Sequence, residues 1–203
     1  GAPTSIDEES FIAAAETLKG ERFGLGILWH KQGSIEDFIG SIVDHIDAAL
    51  ALDPFTGKMR LKLVRDDYDI ETLPVIDPSN ATLTSFQRRA WGETVNEVNV
   101  TWTNPANEQQ EVVTVHDTAN IRLQGGVIVS DQRNYYGIRD AELALRVATR
   151  DLQAAASALS TAEVEVNRSA WRVLPGDVVA LRWPLYGFER IPMRVTSADY
   201  GKP

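Results

Sequence analysis

The sequence has no cysteine among its 203 residues. That excludes disulfide frameworks, thiolate metal sites and cysteine nucleophiles. Long apolar runs are also missing. No stretch approaches the roughly 20 residues that a transmembrane helix needs, so no membrane span is expected. Histidine is scarce: His30, His45 and His116 lie far apart, with no metal-type spacing. They read as surface or structural side chains, with His45 on the polar side of its helix. The only methionines are Met59 and Met193, and the chain opens Gly1-Ala2-Pro3 with no signal-peptide pattern. A processed product or a fragment of a longer chain is the expected origin. Basic residues are in deficit, with 20 Lys and Arg against 29 Asp and Glu and a net charge of −9. Without a basic cluster, no specific nucleic-acid binding is expected, because phosphate affinity comes mainly from Lys and Arg.

Reactive motifs are absent too. Gly24-Leu25-Gly26 lacks a third glycine opening a helix, and Gly125-Gly126 lacks the Lys-Ser/Thr of a phosphate loop. Asp66-Asp67-Tyr68-Asp69 lacks calcium-loop spacing and reads as solvated linker. Adjacent carboxylates at Glu8-Glu9 and Asp66-Asp67 are not the separated pair that glycoside cleavage needs. No nucleophile-elbow spacing occurs. No catalytic, cofactor-binding or metal-binding residue is assigned, no cofactor is expected, and a non-enzymatic role is.

What is present is periodic. The 43% hydrophobic share is enough for real cores. The most organised stretch runs from Gly137 to Thr196. Its stripe Ile138, Ala141, Leu145, Ala148, Leu152 and Ala155 recurs at steps of three and four, which predicts a helix over 138–156. The period then becomes two, with Ala162, Val164 and Val166 opposite Glu163, Glu165 and Asn167. A helix leading into a half-buried strand predicts packing on an antiparallel sheet and an α+β fold. Pro175-Gly176-Asp177 marks a turn before strands at 178–183 and 190–196, and Pro192 places the second at an edge or a bulge.

Further toward the N-terminus, Ser5-Ile6-Asp7-Glu8 reads as a capping box before the stripe Phe11, Ile12, Ala15 and Leu18. Phe23 to Trp29 reads as a short strand. Ser34 caps a second helix whose stripe is Ile35, Phe38, Ile39, Ile42, Val43 and Ile46. A hairpin spans Asp53–Gly57, and residues 66–82 connect two lobes, with one short strand near 72–76. A strand is expected at Leu83 to Trp91. Thr94–Thr103 and Glu111–His116 pair across a polar loop, then come a helical turn at 117–124 and a strand at Val127–Val129.

Several segments taken in order resemble phage tail-tip and baseplate hub proteins. They include Ser10-Phe11-Ile12-Ala13-Ala14-Ala15, Ser34-Ile35-Glu36-Asp37-Phe38-Ile39 and Thr56-Gly57-Lys58-Met59-Arg60-Leu61. The later ones are Glu93-Thr94-Val95-Asn96-Glu97-Val98, Asp117-Thr118-Ala119, Ala148-Thr149-Arg150-Asp151-Leu152, Leu174-Pro175-Gly176-Asp177-Val178-Val179 and Met193-Arg194-Val195. The resemblance implies an α+β hub lobe at 1–80 with two helices and a hairpin. It implies a tail-tube-like antiparallel β-sandwich or barrel with one packed helix at 81–203. It also implies a virion structural protein, trimeric in full length, that joins tail tube and other tip proteins in a ring and is made in the bacterial cytoplasm before assembly. Excess acid would let DNA slide through such a ring. The competing expectation is a carbohydrate-binding or cell-wall-acting module, with Trp183 and Tyr186 as the aromatic contacts.

Overall fold

The computed structural model describes residues 5–27, 34–90, 92, 94–168 and 172–200. The fold is α+β. The chain divides into two compact units, one from residues 1–21, 39–85 and 162–203, the other from 22–38 and 86–161. That grouping is discontinuous, whereas the sequence reading made a single cut near residue 80.

The second unit holds a continuous cluster of buried apolar side chains. Strands β5 (Glu97–Asn104) and β6 (Gln109–His116) pair antiparallel from Glu97↔His116 to Asn104↔Gln109. Strand β7 (Ser130–Asn134) lies parallel to β5 on its other side, so the sheet is three-stranded and mixed. Among the described residues no sheet closes into a barrel. Alternation along β5 buries Val98, Val100 and Trp102. Helix α4 (Ala141–Ala156) covers them with Leu143, Ala144, Val147, Ala148, Leu152 and Ala156.

This helix starts three residues later than the periodicity predicts. Asp140 is extended, and its carboxylate accepts the Leu143 N–H at 2.7 Å, fixing the start at Ala141. Ile138 is wholly buried, but it belongs to the preceding turn, where its N–H donates to the Tyr135 carbonyl at 2.9 Å. A stripe phased from Ile138 is therefore rotated, and Leu145 faces out. Short helix α3 (Thr118–Leu123) is capped by Asp117, and Gly125 and Gly126 follow with left-handed φ of 71° and 87°. The expected strand at 127–129 is irregular chain instead, and Val127 and Ile128 are exposed. Residues 23–27 are also irregular, although Phe23 and Leu25 pack on the core; Trp29 and His30 lie outside the described residues, as do Trp91 and Trp171.

In the first unit, helix α1 (Glu8–Gly20) begins after Asp7, not at Ser5. Ser5 and Asp7 spend their backbone groups on Met59: its N–H donates to the Ser5 carbonyl and its carbonyl accepts from Asp7, both at 2.8 Å. The inward face is accordingly Phe11, Ala14 and Leu18, while Ile12 and Ala15 point out. Helix α2 (Ile35–Ile46), which runs across the division between units, has Ser34 at its cap as predicted, with Oγ accepting the Asp37 N–H at 3.0 Å.

Strands β1 (Ala48–Leu52) and β2 (Met59–Leu63) form the expected hairpin. Strand β3 (Val75–Ile76) runs parallel to β9 (Val178–Trp183), and β10 (Phe188–Arg194) runs antiparallel on the other side of β9. Pro192 sits on β10, the sheet edge, and the register shifts between Phe188 and Ile191. Two further strands, β4 (Ala81–Arg88) and β8 (Ser160–Val166), pair with each other.

Candidate interaction surfaces

The two aromatic residues singled out from the sequence have opposite fates. Trp183 ends β9 with its ring in the interior, 7% exposed, because alternation turns Arg182 outward and Trp183 inward. Tyr186 lies in the 3₁₀ turn Pro184–Tyr186, 60% exposed, its ring tilted against Phe188 at 6.1 Å. No two-ring platform forms, and the aromatic contact comes down to Tyr186 beside exposed Leu185.

Of the histidines, His45 and His116 lie among the described residues, and each has its own partner. His45, expected on a polar face, is buried with Nδ1 2.5 Å from the Ser41 carbonyl. His116 Nε2 lies 2.7 Å from Glu97, whose carboxylate also accepts from Ser130 Oγ and Asn99 Nδ2. These hydrogen bonds, the Ser130 hydroxyl first, hold Glu97 below the usual carboxylate range. Among the described residues no group of His, Asp and Glu is placed to hold a metal ion. Asp67 is salt-bridged to Lys62 at 3.1 Å, and Glu8 and Glu9 occupy the first turn of α1, where the helix dipole favours them.

The first unit contains an open groove of about 410 Å³. Leu73, Pro74, Val75, Val173, Val178 and Val179 supply its apolar lining; Lys62, Asp67, Arg172 and Asp177 are among the polar side chains at its margin. Its carboxylates are already paired, Asp67 with Lys62 and Asp177 with Arg60, so the margin is balanced in charge.

The second unit contains the converse feature. Leu123, Val127 and Ile128 are 78%, 57% and 54% exposed, yet the chain bearing them is firmly held. Asn96, wholly buried, donates through Nδ2 to the Val127 carbonyl at 2.9 Å and accepts the Val129 N–H at 2.8 Å. Asn120 donates to Thr94 Oγ1 at 2.9 Å, and Gln124 donates to Asn120 Oδ1 at 2.6 Å and to the Thr94 carbonyl at 3.0 Å. Thr94 is wholly buried and Asn120 nearly so. Satisfied amides of this kind fix main-chain geometry, since breaking one leaves a buried group unpaired. Sequence reasoning missed this network; the available signal was that Thr94 and Asn96 fall at the same alternate positions as Val98 and Val100, the buried face of β5.

Residues 34–197 match the family described as "Putative phage tail protein". No curated protein matches the sequence significantly. Among solved structures, the chain is similar to the tail protein from Neisseria meningitidis MC58, at 12% identity and a TM-score of 0.54, over 84% of this chain and 51% of that one. It also matches the 43 kDa tail protein of prophage MuSo2 from Shewanella oneidensis, at 13% identity and a TM-score of 0.46, over 95% and 62% of the two chains. A third match is prophage tail protein gp18 from Listeria monocytogenes EGD-e, at 13% identity and a TM-score of 0.40, over 80% and 47%. The Neisseria likeness is one of fold, and this chain spans about half the length of that protein.

Proposed function

This chain belongs to the phage tail protein family, and from that premise we propose that it is a structural part of a phage or prophage tail tip or baseplate hub. It would form part of a ring linking the tail tube to host-recognition elements. In this reading its partners are copies of itself, as a trimer in the full-length protein, together with tube and other tip proteins. Its place is the virion, and its work is mechanical, not catalytic.

The observation that carries the reading is the set of aliphatic side chains, Leu123, Val127 and Ile128, held outward on a defined turn. Grouped exposed apolar side chains on a fixed backbone mark a surface that a partner covers. The net charge of −9 supports a lumen that DNA passes without adhering. Light scattering on this chain and on a longer parent tests the ring: concentration-dependent association is expected, and a strict monomer at every concentration overturns it. Turnover in a broad ester and glycoside screen would overturn the non-catalytic part.

A further inference from the structure

We propose that the free edge of β6 is a self-association site, at which two copies pair their β6 strands antiparallel about a two-fold axis centred on Val113. Such a contact closes at two copies, so it goes beyond the ring reading and does not rest on it.

The register of the sheet decides which main-chain groups are free. The Asp117 N–H donates to the Asn96 carbonyl at 2.8 Å on the β6 side of β5, and the Tyr135 N–H donates to the Thr101 carbonyl at 2.9 Å on the β7 side. Main-chain groups alternate in direction along a strand. Glu111, Val113 and Val115 therefore bond to β5, while Gln110, Val112, Thr114 and His116 turn N–H and C=O outward. Among the described residues no strand lies beyond β6, and none of these outward groups has a main-chain partner.

An open edge is a template for another strand, and proteins guard it with charge, proline, a bulge or short length. Other edges of this chain carry those guards. Strand β10 has Pro192 and a register shift, β8 carries Glu163 and Glu165, and β3 is two residues long. Strand β7 has five residues and an ion pair between Asp131 and Arg133 at 2.7 Å. Strand β6 has eight residues, no proline, lysine or arginine, and an unbroken register. Its one carboxylate, Glu111, belongs to the inward set and accepts from Asn104 Nδ2 at 2.6 Å.

Self-complementarity selects a second copy as the occupant. A two-fold axis normal to the sheet keeps α4 on the same face in both copies, so residues pointing to the same face must pair. Centred on Val113, the pairing sets Gln110 against His116 and Val112 against Thr114, each twice, and every outward N–H and C=O is used. Centred on Val112 or Thr114 instead, it leaves His116 or Gln110 beyond the end of the other strand. Like charges directly opposite oppose strand pairing, and here Glu111 meets Val115, so no carboxylate faces another although the chain carries a net charge of −9.

Residue-resolved amide exchange on the wild-type chain tests the contact. In dilute protein Glu111, Val113 and Val115 should exchange slowly and Gln110, Val112, Thr114 and His116 fast; in concentrated protein the second set should join the first. If it stays fast where light scattering shows association, the pairing is overturned. Val112→Pro removes an outward donor and spares the ladder to β5, as proline on an edge strand can. It should abolish the dimer with an unchanged circular dichroism spectrum. Association persisting in that folded variant overturns the β6 contact and leaves the ring reading standing; a wild-type chain monomeric at every concentration overturns both. The absence of cysteine allows a check of register. Opposed residues of a non-hydrogen-bonded pair have Cα atoms about 4.5 Å apart, within reach of a disulfide. Oxidation should link Val113→Cys into a dimer and leave Gln109→Cys, at the far end of the strand, unlinked; equal linkage of the two refutes the register.

Discussion

In one unit of this protein aliphatic side chains converge on a continuous core; in the other, arginines join distant pieces of chain. The unit formed largely by residues 86–161 packs Val98, Val100, Ile138, Val147 and Leu152 into one cluster. The unit formed by 1–21, 39–85 and 162–203 must bring three separate stretches together. Arg65 donates to the Glu21 carboxylate and to the carbonyls of Ile46, Asp47 and Val64. Arg60 pairs with Asp177, Arg182 reaches Asp77 at 2.5 Å, and Arg190 donates to the carbonyls of Ile70 and Glu71. Arg194 donates to the carbonyls of Gly176 and Arg65. The planar guanidinium suits this task, because its several fixed donors can satisfy carbonyls that no strand partner reaches. The difference teaches that loss of packing should injure one unit, and loss of charge the other.

The largest effect is expected from Ile138→Ala. The side chain is wholly buried in the core cluster, and truncating such a residue costs about 2–5 kcal/mol. Urea denaturation should show the loss, and amide exchange should place it in β5 and α4, while Val179 to Leu181 keep their protection. Equal loss of protection in both units would break the comparison.

Arg65→Ala tests the other side. It removes the donor to Glu21 and to three carbonyls, and hydrogen bonds to charged groups contribute about 1.5–3 kcal/mol. Exchange should quicken at the end of α2 and in β2, not in β5. Arg65→Lys should recover little of the loss, since an ammonium cannot reproduce the fork. Full recovery by lysine would reduce the role of Arg65 to its charge.

The same contrast explains what was legible in the sequence. The β5–β6 pairing, the β1–β2 hairpin, the Ser34 cap and the edge position of Pro192 each follow from local chemistry, and each is present. The periodicity starts α4 too early because Ile138 has the right spacing for a helix that Asp140 does not let begin. Ser5 reads as a cap because nothing local shows that Met59, far along the chain, claims its carbonyl. Trp183 reads as a surface contact, although it is buried, because aromatic type alone does not give the phase of a strand. The arginine bonds and the Asn96 network join residues far apart in sequence, where no periodicity points. Local rules read single elements in both units and missed, in both, the bonds that join residues far apart in sequence.

The smallest expected effect concerns acid. Asp77 accepts the Ser79 hydroxyl at 2.5 Å, the Ser79 N–H at 2.9 Å and Arg182 at 2.5 Å, while its own N–H donates to Asn80. The Ser79 hydroxyl is the main cause, with the Ser79 N–H and Arg182 behind it, and together they hold the carboxyl below the ordinary Asp value. A carboxyl whose folded-state pKa is lowered stabilises the fold fully above its unfolded value of about 3.9, and that contribution is lost as pH falls through the lower folded value. Asp77 directly follows β3, so acidification below about pH 4 should release β3 from β9. Exchange at the Ala180 N–H, which donates to the Pro74 carbonyl at 2.9 Å, should report it. Asp77→Asn, which cannot titrate, should show reduced protection at neutral pH and a flatter response to acid. If wild type and Asp77→Asn lose Ala180 protection along the same pH curve, the ion pair does not govern this strand, and the division between a packed unit and a charge-stitched one weakens at the place where β3 meets its sheet.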